Sequence, residues 1–188
     1  MQFTYVASLL LAGLAAASPI ERRAGVQAVD QILEISPKSQ TCDGSKDCRT
    51  AEQAAPLLIQ AFQDYKDLLG RPDRRCPCPH GLRVGGLQMY PNNIKYAQAI
   101  PELQSKASAY TENSPDDKKN ELLALVTDDK YNFGSGPWYL TTQCDKGVQT
   151  ALAAGDDAGF AAYMKCVGVT VTEDRNAYWQ RAKKAFSL

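Results

Sequence analysis

From Thr50 onward the apolar residues of this chain return every three or four positions, and no run among its 188 residues alternates apolar and polar side chains convincingly. That spacing belongs to helices that bury one face, whereas a half-buried strand needs a period of two. The pattern predicts a mainly α fold, without an internal repeat. Leu57, Leu58, Ala61, Phe62, Tyr65, Leu68 and Leu69 make one stripe, opened by the capping-box pair Thr50 and Gln53, stopped by Gly70, with Pro56 as a point of breakage or restart. Pro91 opens a helix carrying Ile94, Tyr96, Ala97 and Ile100, and Pro101 opens another that reaches about Tyr110. Ser114 reads as a cap, Pro115 as a first-turn proline, and Asp116 and Asp117 as first-turn acids ahead of Leu122, Leu123, Leu125 and Val126. Shorter helices are expected over 148–154 and 159–167, and Thr172 caps a last one striped by Tyr178, Trp179, Ala182 and Phe186. Residues 24–40 are expected to be extended, because Val26, Val29, Ile32, Leu33 and Ile35 precede Ser36-Pro37 and proline disfavours helix in the residue before it.

The start of the chain reads as a leader. Residues 6–17 (VASLLLAGLAAA) form an apolar run of signal-peptide length, too short for the roughly 20 apolar residues of a membrane span. It ends in three alanines suited to signal peptidase, although Met1-Gln2 lacks the usual basic residue. No later stretch is apolar enough to span. The reading is a signal peptide over 1–17 and a pro-peptide over 18–23 ending in Arg22-Arg23, an arrangement resembling the short pro-peptides removed from secreted fungal proteins. Next come an extended segment with a disulfide loop over 24–49 and a helical domain over 50–188. A chain starting at Ala24 has 188 − 23 = 165 residues and a formal charge of 19 − 20 = −1. The even balance of 21 Lys+Arg and 21 Asp+Glu gives no basic excess for nucleic acid. The expected product is secreted and monomeric.

Six cysteines in an oxidising compartment suit disulfides, and spacing favours local closures. Cys42 is expected to pair with Cys48 around a polar loop, and Cys144 with Cys166 around a helical stretch. About 165 residues suffice for a self-supporting core, so the bridges reinforce packing.

Two segments carry the chemistry. Residues 85–91 (GGLQMYP) are a glycine turn that delivers Gln88 ahead of a helix, with a donor and an acceptor for sugar hydroxyl and N-acetyl groups. Residues 131–138 (YNFGSGPW) alternate aromatic rings with glycines that let backbone approach a ligand. Together they resemble the lysozyme-like family of soluble lytic transglycosylases and goose-type lysozymes, whose Gly-Leu-Met-Gln-x-x-Pro motif matches Gly85, Leu87, Gln88 and Pro91. A later Tyr-Asn-x-Gly-x-Gly segment of that family matches Tyr131, Asn132, Gly134 and Gly136. The resemblance spans about 50–138. It implies a small lysozyme-like α-helical domain, descent from enzymes that cut N-acetylated β-1,4 glycans such as peptidoglycan or chitin, and a saccharide cleft lined by Gln88 and Tyr131. Asn132 and Trp138 are further candidate binding residues, although Trp138 with Tyr139 equally suits a buried pair near Cys144.

The family's catalytic Glu-Ser pair is missing. Its glutamate protonates the glycosidic oxygen and must be kept neutral by an apolar pocket. Between Glu52 and Gly85 there are only Asp64, Asp67 and Asp73. Asp67 lies where the acid belongs, but is one methylene shorter and sits beside Lys66 on an expected solvent-facing turn. In its place residues 71–83 (RPDRRCPCPHGLR) hold four of the nine arginines, three of the ten prolines and the sole histidine. The wider stretch 69–84 is either a replaced loop or translated intronic or out-of-frame sequence, which resequencing the transcript decides. Cys76, Cys78 and His80 alternate like metal ligands, but a closed zinc site needs four and no second cluster completes it, so no metal and no cofactor is expected. Asp128 and Asp129, close to Tyr131, are the acidic pair to test for a second carboxylate role. The leading expectation is a secreted lysozyme-like protein with hydrolysis in doubt. The alternative is a non-catalytic effector or cell-wall-interacting protein, and a third reading is a structural helical domain.

Overall fold

The structure, a computed structural model, describes residues 19–45, 48–65 and 89–188. The leader expected over 1–17 lies outside them. Ten α-helices and one 3-10 turn make up the described fold, which contains no strand: α1 Pro19–Ile35, a 3-10 turn Pro37–Gln40, α2 Ala51–Tyr65, α3 Tyr90–Ala99, α4 Gln104–Ala107, α5 Asp116–Val126, α6 Asp129–Asn132, α7 Ser135–Thr142, α8 Lys146–Ala153, α9 Asp157–Cys166 and α10 Glu173–Phe186. None of the described helices is long and apolar enough to cross a membrane.

Local signals set most of the helix starts. The Thr50 amide donates to Gln53 Oε1 at 2.9 Å and the Gln53 amide donates to Thr50 Oγ1 at 3.3 Å, the reciprocal closure of a capping box. Asp145, Asp156 and Thr172 cap α8, α9 and α10 by accepting from the amides of Val148, Gly159 and Arg175. Helix α2 runs through Pro56 unbroken. Proline removes one amide, whose partner would have been the carbonyl of Glu52, and both residues are exposed, so water can satisfy that carbonyl.

Three local expectations are corrected. Residues 24–35 are helical, not extended. The proline effect reaches only Ser36, whose backbone at φ −133° and ψ 78° ends α1. Val29, Ile32 and Leu33 have the helical spacing of one face, and α1 packs against α2 and α10. Gln31 Nε2 donates to the Ala185 carbonyl at 3.2 Å, Arg181 Nε donates to the Ile35 carbonyl at 2.7 Å, and Lys184 lies 2.9 Å from Glu34. Positions rising along α1 meet positions falling along α10, so the two run antiparallel. Tertiary packing thus overrides a one-residue proline signal.

Ser114 does not cap α5. Its hydroxyl accepts from the Thr111 amide at 2.9 Å and closes the preceding turn, leaving Pro115 at the cap position without a side-chain bond. The helix expected from Pro101 to about Tyr110 contracts to α4. Its last turn tightens to three-residue bonds, Ala109 to Lys106 and Tyr110 to Ala107, each 3.2 Å, which end an α-helix.

Two apolar clusters flank α7. One gathers Ile94, Tyr96, Ala97, Leu103, Ala107, Leu122, Val126 and Trp138 from α3, α5 and their neighbours. The other gathers Leu140, Cys144, Leu152, Phe160, Tyr163, Met164, Trp179 and Ala182 around the α8–α9 hairpin and α10. Helix α7 gives Trp138 to the first and Leu140 to the second, and Tyr139 packs against both. Both expected disulfides form: Cys42 to Cys48 closes the polar loop, and Cys144 to Cys166 clamps the base of the hairpin.

Asp157, at the start of α9, holds α10 in place. Its Oδ1 accepts from Lys183 Nζ and Trp179 Nε1 at 2.7 Å each, and from Gln180 Nε2 at 3.2 Å. The Lys183 bond first, then the Trp179 bond, hold its carboxyl below the ordinary value of 3.8. A carboxylate depressed in the folded state contributes stability that is present above its unfolded value and lost as pH falls through the folded one. Acid titration of the folded protein is therefore expected to weaken it below about pH 4, and Asp157→Asn to flatten that loss in urea unfolding curves collected across the range. Equal slopes for the two proteins would show that Asp157 does not contribute.

Candidate functional site

The segment 131–138 folds as α6 followed by α7, and its glycines serve different ends. The Tyr96 hydroxyl of α3 donates to the Tyr131 carbonyl at 2.5 Å. A Cβ on Gly134 would lie 2.7 Å from that same hydroxyl oxygen and 3.6 Å from the Tyr65 ring, so a side chain here would have to displace the Tyr96 hydroxyl. Burial first, with the neighbouring Tyr65 phenol and Asp64 carboxylate adding to it, pushes the Tyr96 phenol up, so the hydroxyl stays a neutral donor. Gly136 meets nothing within 4 Å among the described residues; packing does not explain it.

Tyr131 is half-buried against the first cluster, and pinning its carbonyl fixes the ring so that the hydroxyl reaches the surface. Its hydroxyl donates to Glu102 Oε2 at 2.6 Å, and Lys130 Nζ reaches the same oxygen at 2.6 Å while lying 5.3 Å from the centre of the Tyr131 ring. The Lys130 bond first, and the Tyr131 bond second, lower the Glu102 carboxyl below its ordinary value. Glu102 is thus an exposed, ionised acceptor. A catalytic acid for glycoside cleavage must instead be neutral and sheltered, so Glu102 does not replace the missing glutamate.

The other candidate residues fall elsewhere. Gln88, its turn 85–88, Asp67, Cys76, Cys78, His80 and the stretch 69–84 lie outside the described residues. Asn132 is buried as the last residue of α6. Trp138 is 4% exposed, with its ring 5.1 Å from that of Tyr96, and packs in the core; it offers no stacking face to a ligand. Of Asp128 and Asp129, the first caps α6 through the Lys130 amide at 2.9 Å, and the second takes both oxygens to Arg49 Nε at 2.9–3.0 Å. Both are occupied structurally. No group of three or more His, Cys, Asp or Glu among the described residues is arranged to hold a metal ion.

Glu102 was the residue sequence reasoning missed. Next to Pro101 it looks like an ordinary first-turn acid, and only the tertiary fold brings it to residues 28 and 29 positions away.

No family model matches the chain. No solved structure matches it. A protein of Fusarium oxysporum (strain Fo5176) described as a bifunctional dioxygenase (DOX)-epoxy alcohol synthase (EAS) is 42% identical over 147 residues, which cover 73% of this chain. The chain spans 11% of the length of that curated relative. A segment similar to most of this chain is therefore a small part of that much longer polypeptide.

Proposed function

We propose that this chain is a secreted module of lysozyme-like descent that holds N-acetylated β-1,4 glycan, of the peptidoglycan or chitin kind, against the Tyr131 surface without cleaving it. One observation carries the reading: the Tyr131 hydroxyl and the Lys130 ammonium converge on Glu102 Oε2 at 2.6 Å each, on the exposed side of the glycine-bearing segment. An ionised carboxylate, a phenol and an ammonium side by side supply acceptors and donors that match ring hydroxyls and acetamide groups. The bond from Tyr96 to the Tyr131 carbonyl fixes the backbone beneath them, so little order need be gained on binding. Cleavage is left out of the reading because the carboxylate at hand is ionised and exposed, unsuited to protonating a leaving group. The likeness to a small part of a protein named for dioxygenase and epoxy alcohol synthase steps supports a module that can be joined to other domains; in this reading those two activities stay with the rest of that protein.

Sedimentation with insoluble chitin and with peptidoglycan tests the proposal. The chain is expected to pellet with at least one of them, and the supernatant to gain no soluble sugar. Protein that stays entirely in solution with both would overturn binding, and steady release of fragments would overturn the non-cleaving part.

A further inference from the structure

Helix α6 is a single turn of four residues, too short to be stable by itself, yet it carries both Lys130 and Tyr131. Besides Glu102, two other parts of the fold tie it down. Near its end the Tyr96 hydroxyl bonds the Tyr131 carbonyl, and at its start Asp129 accepts from Arg49 Nε with both oxygens, at 3.0 and 2.9 Å. One tie leaves so short a helix able to turn about it, whereas two ties from separate elements fix its direction. The Arg49–Asp129 pair joins positions 80 residues apart, with side-chain exposures of 24% and 38%, so salt screens it less than a pair in open water.

Arg49 is itself held on both sides. Cys48 before it is bridged to Cys42, and Thr50 after it opens α2 through the capping box with Gln53. Arg49 Nη1 also donates to the Cys48 carbonyl at 2.8 Å, which orients the guanidinium over the bridged loop. The cation that meets Asp129 therefore starts from backbone fixed by a covalent bond on one side and a helix cap on the other.

We propose that the Cys42–Cys48 loop is a clamp on the Tyr131 surface: the bridge fixes Arg49, Arg49 holds Asp129, and Asp129 sets the direction in which α6 presents Lys130 and Tyr131 to Glu102. Arg49 is thus a positioning residue that touches no ligand. A chain with the bridge open keeps the Tyr131 side chains and loses their shared aim at Glu102 Oε2. The effect on glycan binding rests on the function proposed above; the clamp acts on the side chains whatever the ligand.

NMR titration of the tyrosine-labelled full chain, with the Tyr131 signal identified by its loss in Tyr131→Phe, tests the clamp without any sugar. In the wild type the hydrogen bond to the Glu102 carboxylate, first among the causes, holds the Tyr131 phenol above the ordinary 10.0. Removing the Arg49 cation would by itself raise that phenol further, since a nearby positive charge favours the phenolate. The expected result for Arg49→Gln is the opposite, a fall toward 10.0, because the Glu102 bond is loosened. Cys42→Ser/Cys48→Ser, which alters no charge on α6 or its partners, is expected to show the same fall, and Arg49→Lys a smaller one. Affinity for N-acetylated chitin oligomers is expected to drop about fivefold in Arg49→Gln. A wild type that binds no oligomer, with the phenol falling in the variants, would reject the glycan and uphold the clamp. Oligomer binding with a phenol that stays or rises in Arg49→Gln would overturn the clamp and leave the glycan standing. Arg49→Gln keeps both bridges, so it decides the matter even if the serine variant does not fold; a folded serine variant with an unchanged phenol would overturn the part given to the bridge.

Discussion

Gly159→Ala is expected to destabilise the protein by about 3 kcal/mol, a fall in melting temperature of about 6–12 °C, because the α8–α9 hairpin has no space for one more carbon. A Cβ there would lie 2.0 Å from the Ala151 carbonyl oxygen, 2.5 Å from its carbonyl carbon and 2.9 Å from the Leu152 nitrogen. These are backbone atoms of the facing helix, so no rotamer change relieves the overlap; the helices must separate. Separation is resisted at two points. The Gly159 amide donates to the capping carboxylate of Asp156 at 2.7 Å, and the disulfide between Cys144 and Cys166 closes the other end of the hairpin. Gly136→Ala serves as the control, since nothing among the described residues lies within 4 Å of that position and alanine is the better helix former. Urea unfolding of both variants separates a steric cost from a general intolerance of the helices to substitution. A Gly159→Ala loss below about 1 kcal/mol would show that the two backbones are not in contact.

Trp179→Ala is expected to cost about 3–5 kcal/mol, the range for deleting a large aromatic ring from a core. Trp179 is fully buried, and its ring stacks on Phe160 with centroids 4.8 Å apart and planes 3° from parallel. Its indole N–H donates to Asp157, so one side chain both fills the second core and latches α10 to α9. Trp179→Phe keeps a ring against Phe160 and gives up the donor, while Lys183 and Gln180 remain on the carboxylate. A distinctly smaller loss is expected for it. Chemical unfolding of the pair apportions the effect: equal losses would mean that the hydrogen bond, and not the packed ring, holds α10.

Helix class, the Cys42–Cys48 bridge and the capping box at Thr50 are legible because each depends on residues close in sequence, and Cys144–Cys166 because the helical stretch between the two cysteines doubles back as one hairpin. The same reasoning failed where a distant element decided the outcome. Residues 24–35 carry a helical face that only α2 and α10 complete, and one proline at 37 drew the whole segment toward an extended reading. Ser114 has the chemistry of a cap, yet the turn at 111–114 claims its hydroxyl first. The site was legible in part. Tyr131 stands in a motif that sequence singles out, and Gly134 is explained by the Tyr96 hydroxyl across the fold, a contact no spacing rule reveals. Trp138 was ambiguous between cleft and core because an aromatic ring beside glycines suits either; the Tyr96 contact places it inside. Glu102 is not legible in the sequence because it lies in the turn between α3 and α4 and its partners, Lys130 and Tyr131, come from α6.

Calorimetric titration of N-acetylated chitin oligomers into the wild-type protein, Tyr131→Phe and Glu102→Gln addresses the Tyr131 surface directly. Tyr131→Phe keeps the half-buried ring and removes only the exposed hydroxyl, and Glu102→Gln removes a charge at an exposed residue, so both variants are expected to fold. Saturable binding by the wild type, with affinity lower by about 10- to 150-fold in each variant, is the expected result, since a hydrogen bond to a charged group contributes about 1.5–3 kcal/mol. Wild-type protein that takes up no oligomer, or three proteins of equal affinity, would contradict a glycan site at Tyr131 and Glu102.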